Sequence, residues 1–231
     1  MNLGYLDDAV KLFNTIRKMV VSSFPNATKE LIEGEENTYK FIYCKNEQNL
    51  ARVLALFSRF DESYKKLDEI EKKYYNFFES EDNDYITSLL VEQLKLSKLM
   101  QDYKRRKELI EKIGDIFLKF DHFRLMMNND YMEFVKEKIL FTLDCNKVDD
   151  AAVRVENILQ LLLNKKGSYW HTQFSFIYSI CLRKLEERNE ALEILMDLYN
   201  DMNEKHKKLK NFRLFTDIHL EMSHCYYEKG E

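Results

Sequence analysis

A short pattern that can open an α-helix recurs along the sequence at intervals of about 40 residues. The recurring segments are Leu6–Val10, Asp61–Tyr64, Tyr103–Arg106, Val148–Ala151 and Arg188–Ala191. Tyr64, Arg106, Ala151 and Ala191 hold equivalent places in the last four, and the intervals between them are 42, 45 and 40 residues. A period of this length is typical of solenoids built from helix pairs, in which each repeat packs on its neighbours.

The stretch from Ser168 to His206 shows one repeat most clearly. Gly167 and Ser168 predict a left-handed stop followed by an N-cap. Apolar residues at three- and four-residue spacing then predict a first helix, which we call helix A, and after a polar break at 186–189 a second, helix B. A connection this short makes the two helices antiparallel, and Ala191 in the first turn of helix B lets their backbones approach closely. The stripes are Trp170, Phe174, Ile177, Tyr178, Cys181 and Leu185 in A, and Ala191, Ile194, Leu195, Leu198, Tyr199 and Met202 in B.

The same periodicity places the other A helices at about 40–59, 83–102, 129–145 and 210–229. Pro25, the only proline, is expected to end the first helix, and residues 26–38 are expected to form a loop or an extra short helix. The predicted fold class is an all-α, right-handed solenoid of antiparallel helix pairs. We expect one domain over residues 1–231, with an irregular first repeat at 1–45 and regular repeats at 46–231.

The two ends of the sequence resemble incomplete repeats. The segment Leu3–Ala9 matches a turn and a B helix without its A helix, and Tyr226–Glu231 matches a turn without its B helix. An uncapped stack of helices exposes apolar surface. We therefore expect that the chain is a fragment of a longer protein or that a partner covers its ends.

Composition excludes several classes of function. With 5 Gly and 1 Pro the chain has too few turn formers for many hairpin strands. A net charge of −4 gives no global attraction to nucleic acid or to anionic lipid, and no apolar run is long enough to span a membrane. The four cysteines lie far apart, without a CxxC pair or a secretory signal, which predicts reduced thiols in a cytoplasmic protein.

Several residues carry a resemblance to tetratricopeptide (TPR) repeats. They are Tyr178, Leu182 and the segment 189–192, together with the segments 3–9 and 225–230. The sequence departs from the family pattern at Arg106, where a small residue is expected, and it lacks the family's helix-ending proline. The slightly long period is similar to that of the peptide-sensing TPR domains of bacterial Rgg/PlcR/Rap-type quorum-sensing receptors. This resemblance implies a peptide-binding module that could be the ligand-sensing part of a regulator.

No residue pattern indicates catalysis. The sequence has no glycine-rich phosphate loop, no nucleophile elbow and no zinc-protease motif. His219 and His224 are five residues apart, which puts them on different faces of a helix. We therefore predict no metal, no cofactor and no enzymatic activity, and an enzyme such as a phosphatase is the least favoured alternative.

Two basic clusters have ordinary structural interpretations. Residues 104–107 lie at the start of a predicted helix, where they form a solvated face or contact a partner. Residues 205–210 mark a helix C-terminus, where cations are favourable. The 14 Tyr and 16 Phe residues occur at helical spacing, which indicates core packing between hairpins.

The predicted function is recognition of a peptide or protein segment in a concave groove lined by the A helices. Amide side chains can hold an extended backbone, and arginines can grip a carboxylate. The alternative is an architectural role, such as a homodimer interface, without a groove ligand. Candidate partner-binding residues are Asn46, Asn49, Asn129, Lys136, Gln173, Arg183 and Arg213, with Phe176, Ile180 and Asp217 on the same predicted face.

Overall fold

The computed structural model describes residues 3–23, 33–81, 83–118, 128–209 and 212–230, and these residues are helical and contain no strand. Ten α-helices lie in this part of the chain, with one 3-10 turn at Leu163–Lys165. The helices are α1 (Leu3–Ser23), α2 (Glu33–Leu56), α3 (Phe60–Glu81), α4 (Asn83–Leu99), α5 (Tyr103–Phe117), α6 (Asn129–Asp144), α7 (Val148–Leu161), α8 (Tyr169–Lys184), α9 (Arg188–Leu209) and α10 (Phe212–Lys229).

The chain divides into two compact units, Met1–Phe134 and Val135–Glu231. In the first unit α1 to α5 pack consecutively, each helix against the next, and in the second α7 to α10 do the same. Short connections make successive helices antiparallel. The predicted all-α fold of paired helices is confirmed, with α2, α4, α6, α8 and α10 as A helices and α1, α3, α5, α7 and α9 as B helices.

One turn geometry joins each A helix to its B helix and explains the period. In each turn one residue adopts a left-handed backbone conformation, and the next residue donates its N–H to a carbonyl five residues earlier, which closes the helix in a Schellman motif. None of the four left-handed residues is a glycine, so these turns carry no clear stop signal in the sequence. They are Ser58, Gln101, Asn146 and Glu186, with φ of 61°, 56°, 57° and 70°. The closing bonds run from Arg59, Asp102, Lys147 and Glu187 to Leu54, Ser97, Thr142 and Leu182, at 2.9 to 3.1 Å.

In α3, α5, α7 and α9 the fourth residue of the B helix faces the paired A helix and is buried. Ala151 and Ala191 are fully buried there, as predicted. In α3 the equivalent residue is Ser63, which is 1% exposed and donates its hydroxyl to the carbonyl of Ala51 at 2.7 Å. The assignment of Tyr64 to this position is therefore wrong by one residue. The position tolerates a serine because the backbone of the A helix accepts the hydrogen bond of its hydroxyl.

Arg106 holds the same position in α5, and this corrects a second prediction. The sequence predicts a solvated face for the cluster 104–107, but Arg106 is only 2% exposed. Its guanidinium lies 5.8 Å from the centre of the Tyr103 ring. The fourth residue of a B helix points at the A helix whatever its type, so the long side chain is buried although its neighbours in sequence are not.

The hairpin of α8 and α9 follows its prediction closely. Gly167 has φ of 74°, and the Ser168 hydroxyl oxygen accepts a hydrogen bond from the N–H of His171 at 3.3 Å. A buried cluster then joins α8, α9 and α10, and it includes Ala191, Leu195, Leu198 and Met202 of the predicted B stripe. Its members include Leu182, Ala191, Leu192, Leu195, Leu198, Met202, Ile218 and Cys225.

The start of the second helix differs from its prediction. Residues 33–38 are expected from sequence in a loop or a short extra helix, but they form the first turns of α2, which begins at Glu33. The stretch 33–37 contains no large apolar residue, so the hydrophobic periodicity that predicts a helix is missing there. Residues 24–32, including Pro25, lie outside the described residues.

None of the described helices combines the length and the apolar character needed to cross a membrane. All four cysteines are unpaired; Cys145 is exposed and the other three are buried. Burial raises the pKa of Cys44 and of Cys181 to about 12. These two thiols are therefore poor nucleophiles at neutral pH.

Candidate functional site

Three consecutive A helices each carry two polar side chains about one helical turn apart, all of them within the first unit, which includes the first turns of α6. The pairs are Asn49 and Arg52 on α2, Glu92 and Lys95 on α4, and Asp130 and Glu133 on α6. Side chains three residues apart are neighbours on a helix surface. We call these six residues the polar face.

Ion pairs connect the three helices across the polar face. The Arg52 Nε donates to Glu92 Oε1 at 2.6 Å, and Lys95 Nζ lies 3.1 Å from Glu133 Oε2. Arg52 also donates through Nη1 to the Asn49 side-chain oxygen at 3.2 Å. The two cations remain accessible, with 49% of the Arg52 side chain and 42% of the Lys95 side chain exposed, whereas Glu92 and Glu133 are mostly covered.

Asp130 brings a further carboxylate to the polar face. Asn128 caps α6, since its side-chain oxygen accepts from the N–H groups of Asp130 at 2.8 Å and Tyr131 at 3.0 Å. Burial raises the pKa of Asp130 above its ordinary value; Lys95 and Arg52 lower it, while Asp84 and Glu133 raise it. Burial also raises the pKa of Glu92, in spite of the hydrogen bond from Arg52. In both carboxylates the effect of burial outweighs the attraction of the nearby cations.

Asn49 and Asn129 are the predicted partner-binding residues that the structure leaves accessible on these helices. Both are exposed, and Asn129 precedes Asp130 in the first turn of α6. Asn46 is predicted with them, and that prediction is wrong. Asn46 is 6% exposed, and its amide nitrogen donates to the Phe13 carbonyl of α1 at 3.3 Å. A step of three residues leaves side chains offset by about 60° around a helix, which is enough to bring Asn46 under α1 while Asn49 stays clear of it.

Arg183 is expected from sequence to be exposed, and the structure corrects this as well. Its Nε donates to Glu221 Oε1 at 2.5 Å and its Nη1 to Glu228 Oε1 at 2.6 Å. Only 15% of the Arg183 side chain is exposed, and its partners belong to α10. Burial lowers the pKa of Arg183, but Glu221 and Glu228 outweigh it and raise the pKa overall. The guanidinium predicted to bind a ligand carboxylate therefore already donates hydrogen bonds to two carboxylates of the same chain.

The remaining predicted residues of the second unit differ in their exposure. Lys136 is half-buried, with its ammonium 5.8 Å from the centre of the Trp170 ring. Gln173 and Asp217 are half-buried and Arg213 is exposed. Phe176 packs partly buried against the cluster around Leu195, and Ile180 is half-buried.

The second unit also holds an open cavity of about 610 Å³ beside the start of α8. His171 Nδ1 and Ser175 Oγ are 3.5 Å apart on its wall. Burial lowers the pKa of His171, with a further lowering from Lys166 and an opposing effect of Asp201. In the described part of the chain no group of three or more His, Cys, Asp or Glu side chains could hold a metal ion.

Sequence reasoning missed Arg52, Glu92, Lys95, Asp130 and Glu133. A signal for them was present, because Arg52 and Glu92 are 40 residues apart, close to one period, and so are Lys95 and Glu133 at 38. Opposite charges separated by one repeat length come to adjacent helices in a stacked array. Opposite charges one repeat apart therefore identify these residues, whereas the polar pattern within a single helix does not.

The structure is similar to solved proteins with TPR-like repeats. Two structures of a kinesin light chain-like protein from Podosopora anserina, with nearly identical TPR-like repeats, match 89% of this chain over 90% of their own, with TM-scores of 0.65 and 0.63 and 12% identity. BtubC from P. vanneervenii matches 97% of this chain over 84% of its own, with a TM-score of 0.72 and 10% identity. No family model and no curated protein matches the sequence. The likeness therefore shows a TPR-like repeat fold, and the similarity to quorum-sensing receptors stays a prediction.

Proposed function

We propose that this chain is a non-catalytic binding module that recognises an extended peptide or protein segment, and that the polar face is where the segment binds. The observation that carries the proposal is the succession of polar side chains on three consecutive A helices. Helices packed side by side are about 10 Å apart, so three of them present roughly 20 Å of polar surface. An extended chain of about six residues spans that distance.

The side chains of the polar face suit a peptide backbone. An exposed amide such as Asn49 can donate to a peptide carbonyl and accept from a peptide N–H. Asn129 is a second exposed amide, beside the polar face on α6. The ion pairs of Arg52 and Lys95 hold the neighbouring side chains in place, which reduces the conformational entropy lost on binding. The proposed partner is therefore held mainly through its backbone.

The test is a selection of peptides from a random display library on the purified protein, followed by substitution of the two exposed amides. Asn49→Ala with Asn129→Ala should weaken selected peptides by about 1–3 kcal/mol, at roughly 0.5–1.5 for each lost hydrogen bond. Lys65→Ala with Glu69→Ala, at exposed positions of the B helix α3, is the matched control and should leave affinity unchanged. Selected peptides that respond to the control pair and ignore the amide pair would refute this location.

A second candidate function, self-assembly, is favoured by exposed apolar side chains in the second unit. Val153 and Leu161 on α7 are 58% and 65% exposed, and they lie two turns apart on one side of that helix. Neighbouring Leu163 is 57% exposed. Apolar surface of this kind marks an interface when it is contiguous.

Sedimentation equilibrium separates the two candidates. If the chain forms a dimer through α7, Val153→Ser with Leu161→Ser should make it monomeric, while Leu12→Ser, at a leucine of α1 that is 58% exposed, should not. A chain that is monomeric at all concentrations before any substitution removes the self-assembly candidate.

A further inference from the structure

The charges around the polar face do not balance. Four carboxylates, those of Asp84, Glu92, Asp130 and Glu133, lie near two cations that form ion pairs, Arg52 and Lys95. A third cation, Lys45, has its ammonium 4.4 Å from the centre of the Tyr85 ring, next to Asp84. Arg52, Lys95, Asp84 and Glu133 act electrostatically on Asp130. The two cations each bridge to a carboxylate on a neighbouring helix, Arg52 to Glu92 and Lys95 to Glu133. Within the described residues neither Asp84 nor Asp130 forms a salt bridge. The surplus carboxylates are therefore Asp84 and Asp130, the two without a salt bridge.

We infer that the segment bound by the polar face is positively charged and places Lys or Arg side chains beside Asp84 and Asp130. This inference rests on the proposed function and names the chemistry of its partner. An acidic partner would compete with Glu92 or Glu133 for cations that already have a carboxylate partner, and it would bring further negative charge next to the surplus carboxylates. A basic partner leaves both cross-helix ion pairs intact and neutralises the surplus.

The local environment strengthens this charge preference. Partial burial and nearby negative charges both raise the free energy of an ionised carboxylate. The pKa of Asp130 is raised by burial and by the like charges of Asp84 and Glu133. A cation that docks beside Asp130 lowers that cost, so part of the binding free energy comes from relieving a penalty present in the free protein. Because the site is partly covered, salt screens this attraction less than it screens an exposed pair.

The experiment uses three synthetic peptides of about nine residues, which span about 30 Å when extended. They alternate glycine with lysine, glutamate or serine, and their affinities are measured by calorimetry. The test variant is Asp84→Asn with Asp130→Asn, which removes the surplus carboxylates and leaves both ion pairs. The matched control is Asp61→Asn with Asp149→Asn, which removes two carboxylates from first turns of B helices, as the test variant does from first turns of A helices.

We expect the lysine peptide to bind most tightly and the test variant to weaken it about tenfold, because two partly exposed charge pairs are lost. The control should change the affinity less than about twofold. If both variants weaken binding of the lysine peptide equally, binding depends on the net charge of the protein and the inference is overturned. A lysine peptide that does not bind, or that binds no better than the serine or glutamate peptide, also overturns it. The library selection with the amide variants tests the proposed function independently. If a selected peptide is neutral or acidic and its binding depends on Asn49 and Asn129, the proposed function stands and only the preference for a positively charged segment is refuted.

Discussion

Arg183→Met should destabilise the second unit, although the sequence predicts an exposed, dispensable arginine on this face. The guanidinium makes two charge-assisted hydrogen bonds to α10, and the Glu221 side chain is only 9% exposed. Removing the arginine leaves that carboxylate covered, with His224 Nδ1 at 3.6 Å from Glu221 Oε2. The Glu228 side chain is 33% exposed and so gains water when the arginine is lost.

The magnitude follows from these exposures. A hydrogen bond between charged groups contributes about 1.5–3 kcal/mol when covered, whereas an exposed ion pair contributes about 0.2–1. Counting the Glu221 bond near the lower end of the first range and the Glu228 bond in the second gives a loss of about 2–3 kcal/mol. Because Met keeps much of the apolar stem, little of this loss comes from packing.

Urea unfolding of a double-mutant cycle measures this directly. Arg183→Met, Glu221→Gln and the double variant should give a coupling free energy of about 1–2 kcal/mol. Arg213→Met, at an exposed arginine of α10, is the control and should change stability by less than about 0.5 kcal/mol. A coupling free energy near zero, or equal losses at the two arginines, would refute the claim that Arg183 joins α8 to α10.

Three further predictions concern the core and the thiols. Ala191→Phe should overpack the contact between α8 and α9 and lower the free energy of unfolding by about 1–3 kcal/mol, while Glu193→Phe at an exposed position of α9 should be nearly silent. Gln93→Met should raise the free energy of unfolding by about 1–3 kcal/mol, because the fully buried amide has no hydrogen-bond partner among the described residues and its removal ends a desolvation penalty; a destabilised variant would show that the amide is satisfied. Iodoacetamide at pH 8 should alkylate Cys145 in the native protein and the three buried cysteines only after unfolding, as peptide mass spectrometry can verify.

Helix pairs were predictable from sequence because the buried stripes repeat at helical spacing in almost every A and B helix. The turns were less visible. Their left-handed positions hold Ser58, Gln101, Asn146 and Glu186 in place of glycine, so each connection had to be inferred from the apolar residues on either side. The error of one residue at Ser63 arose there, since the count into α3 begins at a turn without a sequence marker.

The site was harder to predict because exposure on an A helix depends on helices far away in sequence. Asn46 and Asn49 are chemically identical and three residues apart, yet α1 covers the first and leaves the second accessible. Arg183 and Arg213 are likewise both arginines of A helices, and a neighbouring helix supplies carboxylates to only the first. Residue type and helical phase therefore select candidates, whereas the opposing side chain on the next repeat decides whether a candidate can meet a partner. Opposite charges one period apart, such as Arg52 and Glu92, indicate from sequence which side chains of neighbouring repeats lie opposite one another.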